Sequence, residues 1–461
     1  MHILRKFSAF QKFSNQHLSS IQVIVFYYLA MTIVTFLLFQ LSFFRKPNVD
    51  VSLIDMLFMA VSTISVTGLT TFDIHSVFNN YGIILLEVLF QIGGFGIMMI
   101  STFFFIVAKR KITLRQRQLI AVDMNQPKLS GVVRLIKYVL LFLIVVQVIF
   151  GIIFGFYFYF KGYYPRFSQN LFWGLYESVS AVMNSGFDVR GNSLMPFKTD
   201  YFFLCIVMFL MLLGSIGFPV LLEITEWFKK RKSPIKYQFS LFTKIAVTTF
   251  IGLFLIGAAL IFLFEMDHFY CNKNFIDCIT NATFYSISTR NAGLQLNPLT
   301  DFQPTTLLII SLLMFIGANP SSVGGGVRTT TFAIVVLYTF SFLKSKGNVS
   351  IFNRRIPTED IRKAVAVLNL SLFFCLLSAL ILLATQPKVS ILEIIVEVAS
   401  AFGTTGLSLG ITSNLTCIGK ITIAILMFIG RVGTLYILML FIPKETRDLG
   451  YKYPTEKIII G

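Results

Sequence analysis

The chain has 461 residues, of which 56% are hydrophobic and only 13% are charged. Charged residues make up about a quarter of an ordinary soluble domain, so this composition excludes that class and indicates a polytopic membrane protein. The formal net charge of +18 would suggest nucleic-acid binding in a soluble protein. Here the placement of the charge argues against nucleic acid as a partner. The basic residues, 27 of the 39 lysines and arginines, cluster at residues 5–12, 109–137, 229–244, 344–363 and 444–457.

Eight apolar segments are long enough to cross a bilayer, which takes about 20 residues as a helix. In chain order they are residues 21–44, 81–108, 138–160, 202–224, 245–264, 305–338, 364–385 and 421–442. The basic clusters alternate with less basic segments, and lysine and arginine concentrate on the cytoplasmic side of a membrane. We therefore expect a multi-pass protein of the cell membrane, with both termini in the cytoplasm.

The four less basic segments are assigned to the outer side of the membrane. Each of them contains a shorter apolar piece followed by a strip of small and hydroxyl residues. The pieces, residues 53–65, 171–183, 275–288 and 391–402, are too short to span and are predicted to be half-membrane helices. Each strip ends with a glycine and a large apolar residue. The glycines, separated by 118, 107 and 113 residues, are Gly68, Gly186, Gly293 and Gly406. A near-constant period indicates an internal repeat.

The predicted fold class is therefore an all-α polytopic membrane protein. It has four repeats of transmembrane helix, pore helix with filter loop, and transmembrane helix around one central pore, in a pseudo-fourfold arrangement. The predicted repeats are residues 1–108, 109–228, 229–343 and 344–461.

The strips are candidates for an ion-selective filter. Backbone carbonyls can replace the hydration shell of a cation when successive residues point them inward, and glycine tolerates the left-handed backbone that this requires. A half-helix that ends at a strip points its negative C-terminal dipole there, which favours a cation. One strip alone could be a turn, but four in phase with eight spans favour a filter. The candidate filter residues are Val66, Thr67, Gly68, Leu69, Asn184, Ser185, Gly186, Phe187, Asn291, Ala292, Gly293, Leu294, Thr404, Thr405, Gly406 and Leu407.

These strips and spans resemble the pore subunits of the Trk/Ktr/HKT superfamily of potassium transporters, most closely the Ktr type. The resemblance implies a potassium-channel-like pore within one protomer, with K⁺ as the transported ion bound at the filter residues. It also implies that glycine in the first strip, here Gly68, accompanies potassium selectivity, while serine accompanies sodium selectivity. The third strip departs from the other three, because Ile287 stands where they have serine and because it carries Arg290.

The sixth span is interrupted by a proline and three consecutive glycines, which a regular helix does not accommodate. We predict two half-helices joined by an intramembrane loop that borders the conduction path. The alternative is a packing kink with no role in conduction. The resemblance implies a gate below the filter. The candidate gate residues are Ala318, Asn319, Pro320, Ser321, Ser322, Val323, Gly324, Gly325, Gly326, Val327 and Arg431.

Arg431 lies in the middle of the eighth span. Its neighbour Gly430 stands at the same distance from its strip as Gly317 does in the sixth span. A charge at this depth is costly and usually faces a cavity or a partner. We interpret Arg431 as a positive barrier below the filter that helps the loop to close the pore. The alternative is an arginine neutralised by an internal carboxylate such as Glu87.

The cytoplasmic segments are too short for a ligand-binding domain, so regulation by a nucleotide would need a separate protein. The resemblance implies a soluble ring of nucleotide-binding Rossmann-type (RCK-type) subunits on the cytoplasmic face. The exposed basic segments suit that ring and equally suit anionic membrane lipid. We also expect a homodimer, in which the apolar tail at residues 457–461 contacts the second protomer; a frayed tail is the alternative.

The leading function is potassium uptake, and the alternative is a sodium transporter or a sodium/potassium symporter on the same scaffold. A membrane enzyme is not expected, and neither is an organic cofactor, because the sequence shows no constellation of catalytic groups or metal ligands. Cys271 and Cys278 could pair, although free thiols are favoured. Gly93 and Gly214 are predicted to allow close helix packing. Structural rather than ion-coordinating roles are expected for four acidic residues, Glu87, Glu177, Glu393 and Glu397.

Overall fold

The computed structural model describes residues 20–96, 117–118, 132–231, 237–271, 273–345 and 348–441. The basic clusters at 5–12 and 444–457, most of the cluster at 109–137 and the tail at 457–461 lie outside these residues. The described chain is almost entirely helical. Its helices follow one another in four similar groups, each consisting of a long helix, a half-length helix and a second helix that is short or broken.

The first group contains α1 (Ser20–Gln40), α2 (Leu53–Ser65), α3 (Ile74–Val77) and α4 (Asn80–Phe95). Side-chain caps begin α2 and α4. The backbone N–H of Asp55 donates to the Ser52 hydroxyl at the start of α2, and Asn79 caps α4 by accepting from the N–H of Gly82. Such caps satisfy backbone donors that the first turn leaves open.

The second group contains α5 (Val132–Lys161), α6 (Phe167–Met183), α7 (Tyr201–Ser215) and α8 (Phe218–Lys230). The axes of α7 and α8 differ by 103°. The sequence predicted an interruption only in the sixth span, so this break in the fourth span is a correction. It occurs because Gly217 has φ +92° and because Pro219, in the first turn of α8, lacks the N–H that a continuous helix needs.

The third group contains α9 (Leu241–Glu265), α10 (Phe275–Ser288), α11 (Pro304–Phe315) and α12 (Thr329–Leu343). The predicted pair of half-helices in the sixth span corresponds to α11 and α12. They are joined by residues 316–328, which we call the intramembrane loop.

The fourth group begins with a short hairpin of β1 (Ser350–Ile351) and β2 (Arg354–Arg355), which pair antiparallel with Ser350 opposite Arg355. It continues with α13 (Thr358–Thr385), α14 (Ile391–Gly403), α15 (Cys417–Val432) and α16 (Thr434–Phe441). The eighth span is broken at Gly433, where φ is +100°; the sequence analysis did not predict this break either. Four 3₁₀ turns complete the described part of the chain, at Ser42–Phe44, Met195–Phe197, Leu299–Asp301 and Thr412–Asn414.

Four helices within the described residues are long and apolar enough to cross a membrane, and the bent pair of α7 and α8 gives a fifth candidate. The four are the first long helices of the groups, at Gln22–Gln40, Ile136–Lys161, Leu241–Glu265 and Thr358–Thr385. The second helices of the groups are shorter because each one ends or bends after 12 to 16 residues, at Phe95, Ser215, Phe315 and Val432. The ends of the predicted second and eighth spans, from residue 97 and from residue 442, lie outside the described residues.

Glycines bring the second helix of the first, second and fourth groups close to a half-length helix. A Cβ atom added at Gly93 would overlap the carbonyl oxygen of Ile64, and one at Gly214 would overlap that of Val182. A Cβ atom added at Gly430 would overlap the carbonyl oxygen of Phe402. Each of these carbonyls lies one residue before the end of its half-length helix. The predicted close packing at Gly93 and Gly214 is therefore present, and it positions the C-terminal ends of the half-length helices.

Candidate functional site

Three of the half-length helices end in the same backbone motif. The residues after α2, α6 and α14 are Val66, Asn184 and Thr404, with φ of 57°, 48° and 51°. After α2, the N–H of Val66 donates to Thr63 O at 3.2 Å and the N–H of Thr67 donates to Ser62 O at 2.9 Å. This is the Schellman arrangement that ends a helix in a left-handed residue. It turns the chain sharply into the strip.

The third strip begins differently. Helix α10 ends at Ser288, five residues before Gly293, whereas the other three helices end three residues before their glycines. The left-handed residue is nevertheless in the equivalent position, since Asn291 has φ 77°. The two extra residues are Thr289 and Arg290, and Arg290 carries the unusual charge that the sequence analysis noted.

The four strips meet in a closed ring. A Cβ atom added at Gly68 would lie 2.5 Å from Ser185 O, and one at Gly186 would lie 3.0 Å from Ala292 O. One at Gly293 would overlap Thr405 O. Added at Gly406, a Cβ would overlap Thr67 O, which returns the ring to the first strip. Each glycine thus faces the carbonyl oxygen that precedes the next glycine, and all four have positive φ, between +65° and +95°.

The large residues that follow the glycines pack behind the ring. Leu69, Phe187, Leu294 and Leu407 are all buried. The Phe187 ring stacks on that of Phe90 with centroids 6.1 Å apart, and the hydroxyl of Ser288 donates to Leu294 O at 2.6 Å. These contacts place the large side chains between the strips and the surrounding helices.

An open cavity of about 390 Å³ lies on the side of the ring away from the intramembrane loop, and the four ring glycines form part of its wall. Asp73 and Asp188 also line this cavity. Neither carboxylate is among the site residues predicted from the sequence. Their positions could have indicated them, because both lie within five residues of a strip glycine. Negative charge at the mouth of a site raises the local concentration of cations.

The intramembrane loop lies on the opposite side of the ring. Its two ends are joined, because the N–H of Val327 donates to Phe315 O at 3.2 Å. A Cβ atom added at Gly324 would overlap the side chain of Asn291, and one at Gly325 would lie 2.6 Å from Thr404 Oγ1. The predicted gate residues 318–327 are buried or nearly so. Glycines at the tip therefore let the loop backbone touch the third and fourth strips from below.

Arg431 connects the loop to the first repeat. Its side chain is 7% exposed, and it donates to Gly93 O at 2.5 Å, to Gly94 O at 2.7 Å and also to Val323 O. The ion pairs of the described residues do not include Arg431. Its partners are thus backbone carbonyls, and the alternative of a pair with Glu87 is not what the structure contains.

Arg290 connects the third strip to the start of the loop. It is fully buried, and its guanidinium donates to Ile316 O at 2.5 Å and to Leu313 O at 3.3 Å. These carbonyls end α11, where a cation is favoured by the helix dipole. Arg290 therefore fixes the strip to the helix end from which the intramembrane loop departs.

Replacing Arg290 by glutamine is expected to lower the unfolding temperature of the purified protein. Glutamine is too short to reach α11, and each charge-assisted hydrogen bond contributes about 1.5–3 kcal/mol. Thermal unfolding followed by fluorescence checks this. The matched control is Arg45→Gln, which removes a 2.6 Å guanidinium bond to Gln40 O at a less buried place. Equal unfolding temperatures for the two variants would contradict the role assigned to Arg290.

Carboxylates of the half-length helices hold segments on either side of the strips. Glu177 forms an ion pair with Arg190, while Glu397 accepts hydrogen bonds from Ser408 at 2.7 Å and Thr412 at 2.5 Å. Glu393 closes a capping box at the start of α14. These are structural contacts, as predicted. Cys271 and Cys278 are free thiols, and no cluster of His, Cys, Asp and Glu able to hold a metal occurs in the described ranges.

Together these features define an all-helical, multi-pass membrane protein whose four pore-helix repeats surround one ring of backbone carbonyls. The chain belongs to the TrkH family, described as cation transport proteins, whose sequence pattern matches residues 20–448. That is a family of transporters and not of enzymes.

Individual relatives extend over nearly the whole chain. The Ktr system potassium uptake protein D of Bacillus subtilis is 43% identical over 447 residues, which cover 97% of this chain and 98% of that protein. The potassium/sodium uptake protein NtpJ of Enterococcus hirae is 33% identical over 452 residues, with the same shares of 97% and 98%. The crystal structure of the potassium transporter TrkH from Vibrio parahaemolyticus has a similar fold. Its TM-score is 0.73 at 16% identity, covering 93% of this chain and 86% of that one.

Proposed function

We propose that the chain is the pore of a potassium uptake system of the cell membrane. The four strips, residues 66–69, 184–187, 291–294 and 404–407, select potassium. The intramembrane loop and Arg431 act as the gate. The observation that carries this proposal is the closed ring, in which each strip glycine faces a carbonyl oxygen of the next strip.

Selection follows from the chemistry of the ring. Backbone carbonyls supply oxygen ligands that replace the water around a monovalent cation. The four half-length helices end next to the ring, so the negative ends of their dipoles add to its attraction for a cation. The membrane potential then drives the ion inward with about 2.3 kcal/mol per charge for each 100 mV.

The proposed gate rests on the contacts of the loop. Gly324 and Gly325 lie against Asn291 and Thr404 directly below the ring, so the loop obstructs the path of an ion that leaves the strips. Arg431 holds the loop through Val323 O and places a positive charge at the same level. Both features oppose the passage of a cation until the loop moves.

Regulation is proposed to come from a separate cytoplasmic ring of nucleotide-binding RCK-type subunits, and the pore is proposed to be a homodimer. The relative from Bacillus subtilis is named as one protein of a Ktr system, which supports a partner subunit. Arg354 and Arg355 of the β1–β2 hairpin are exposed and would suit an acidic docking surface or anionic lipid. The cytoplasmic side assigned to this hairpin and to both termini remains a prediction from the distribution of charge.

A second candidate is sodium transport or sodium/potassium symport on the same scaffold. It is favoured by the 33% identity to a relative named for the uptake of both ions. Reversal potentials of the purified protein in lipid bilayers, under opposed gradients of potassium and sodium, separate the two functions. A reversal potential that follows the potassium gradient supports the first proposal, and one that ignores potassium rejects it.

Gly68→Ser is expected to reduce the preference for potassium over sodium. Serine at φ +88° is strained, and its Cβ would lie 2.5 Å from Ser185 O, so that carbonyl must move away from its position in the ring. Displacing this carbonyl at a cost of about 1–3 kcal/mol to the binding of potassium corresponds to a change of about five- to 150-fold in the permeability ratio. The ratio is read from the reversal potentials. Gly162→Ser is the control, because Gly162 has φ +71° with open space around it; an equal loss of preference in both variants would count against the filter.

A further inference from the structure

A small cavity of about 60 Å³ lies against the intramembrane loop, apart from the strips. Its wall includes backbone of residues 94–96 and Phe218, the first residue of α8. The polar side chains of the wall are Arg328, Arg431, Ser321, Ser322, Tyr28 and Tyr436. The cavity is therefore bounded by guanidinium and hydroxyl groups, together with one end of a helix.

Among the described residues, neither of the two guanidiniums that face this space pairs with a carboxylate. Arg328 donates to Gly324 O, and Arg431 donates to the carbonyls of Gly93, Gly94 and Val323. Within the described part of the chain the Nε of Arg431 has no hydrogen-bond partner. The ion pairs found among the described residues involve other side chains. The titratable groups that act on Arg328 are Arg431, Tyr436 and Tyr28. Two positive charges thus face one cavity, and no acidic side chain of the described residues pairs with either of them.

Helix α8 adds to the positive potential. The helix begins at Phe218 on the cavity wall and runs for 13 residues, so the positive end of its dipole lies at the cavity. Arginine is also the side chain that binds anions most readily, because its planar guanidinium presents several donors in a fixed geometry. A cation is excluded from such a site, and an anion is attracted.

We propose that this cavity binds a small inorganic anion of the size of chloride, which acts as the counter-ion of Arg328 and Arg431. A water molecule needs roughly 10–15 Å³ of such space, so 60 Å³ accepts a chloride with one or two waters and excludes an organic phosphate. The bound anion offsets the repulsion between the two arginines and keeps both of them on the carbonyls of the loop. Binding of this anion does not depend on which cation the pore carries.

Bromide provides a direct test of the site. Crystals of the full chain, grown with bromide in place of chloride, are expected to show an anomalous peak between Arg328 and Arg431. Bromide peaks found only elsewhere on the protein would mean an adventitious ion only and would overturn the proposal. So would an ordered cavity that contains water alone.

A solution measurement tests the consequence. The unfolding temperature of the wild-type protein is expected to rise with the logarithm of chloride concentration, compared with equal concentrations of gluconate, which is too large for the cavity. Arg328→Gln is expected to lose this difference. Lys420→Gln removes a cation that pairs with Asp55 at 2.6 Å away from the cavity, and it is expected to keep the difference. Equal wild-type temperatures in both salts, or a chloride response retained by Arg328→Gln, would refute the site.

Discussion

Alanine in place of Gly293 is expected to reduce potassium uptake by about five- to 150-fold, since displacing the ring carbonyls at a cost of the order of 1–3 kcal/mol corresponds to about one factor of ten per 1.4 kcal/mol. The added Cβ would overlap Thr405 O and would lie 3.2 Å from the Cα of Gly186, so it would occupy the space between three strips. The φ of Gly293, +66°, is also unfavourable for alanine. Rubidium or potassium uptake by a transport-deficient cell, corrected for the amount of protein in the membrane, measures the effect.

Gly410→Ala is the matched control for this variant. Gly410 has φ +91°, and a Cβ added there would meet no atom within 4 Å. It therefore carries the backbone strain without the steric block, although it too lines the open cavity beside the ring. We expect Gly410→Ala to retain most of its uptake. Similar losses in the two variants would show that the ring itself is not the limiting part of the path.

Deletion of residues 321–326 is expected to raise potassium uptake in cells that lack the proposed cytoplasmic subunit. The deletion removes the glycines that touch Asn291 and Thr404. It also removes the Gly324 carbonyl that Arg328 binds and the Val323 carbonyl, one of the three that Arg431 binds. Each of these charge-assisted bonds is worth about 1.5–3 kcal/mol, so the loss of even one could raise the open fraction about tenfold. Initial rates of uptake, again corrected for the amount of protein, give the result.

The same deletion combined with Gly293→Ala is the control for the route of the ion. If the raised flux passes through the strips, the double variant returns to the background rate. An unchanged high flux would mean that the ions leak around the ring. A lower rate for the deletion alone, with normal amounts of protein, would be evidence that the loop supports conduction and does not gate it.

Local composition was sufficient to find the half-length helices and the strips. Helices α2 and α10 begin and end at the predicted residues, Leu53–Ser65 and Phe275–Ser288. They were predictable because small polar residues and glycine interrupt apolar segments at a regular period. The intramembrane loop was predictable for a related reason, since a proline and three glycines in one span leave no other regular structure.

The breaks at Gly217 and Gly433 were not predicted, because one glycine in a strongly apolar segment changes its hydropathy very little. What decides these breaks is the positive φ that each glycine adopts, and φ is set by tertiary contacts such as that of Gly217 with Pro320 O. Arg290 was noticed as an irregularity, but its bonds to α11 join residues 23 and 26 positions apart. No local pattern encodes a contact of that kind.

The ring is made by a single covalent chain, and its four walls are therefore chemically different. A point mutation changes one wall and leaves three intact, whereas in an assembly of four identical subunits it would be multiplied around the axis. The intramembrane loop below the ring likewise belongs to one quarter of the chain, so movement of the loop in the proposed gate needs no concerted movement of four equivalent parts. Single substitutions can thus change the ring one wall at a time, which the exact symmetry of a homotetramer does not allow.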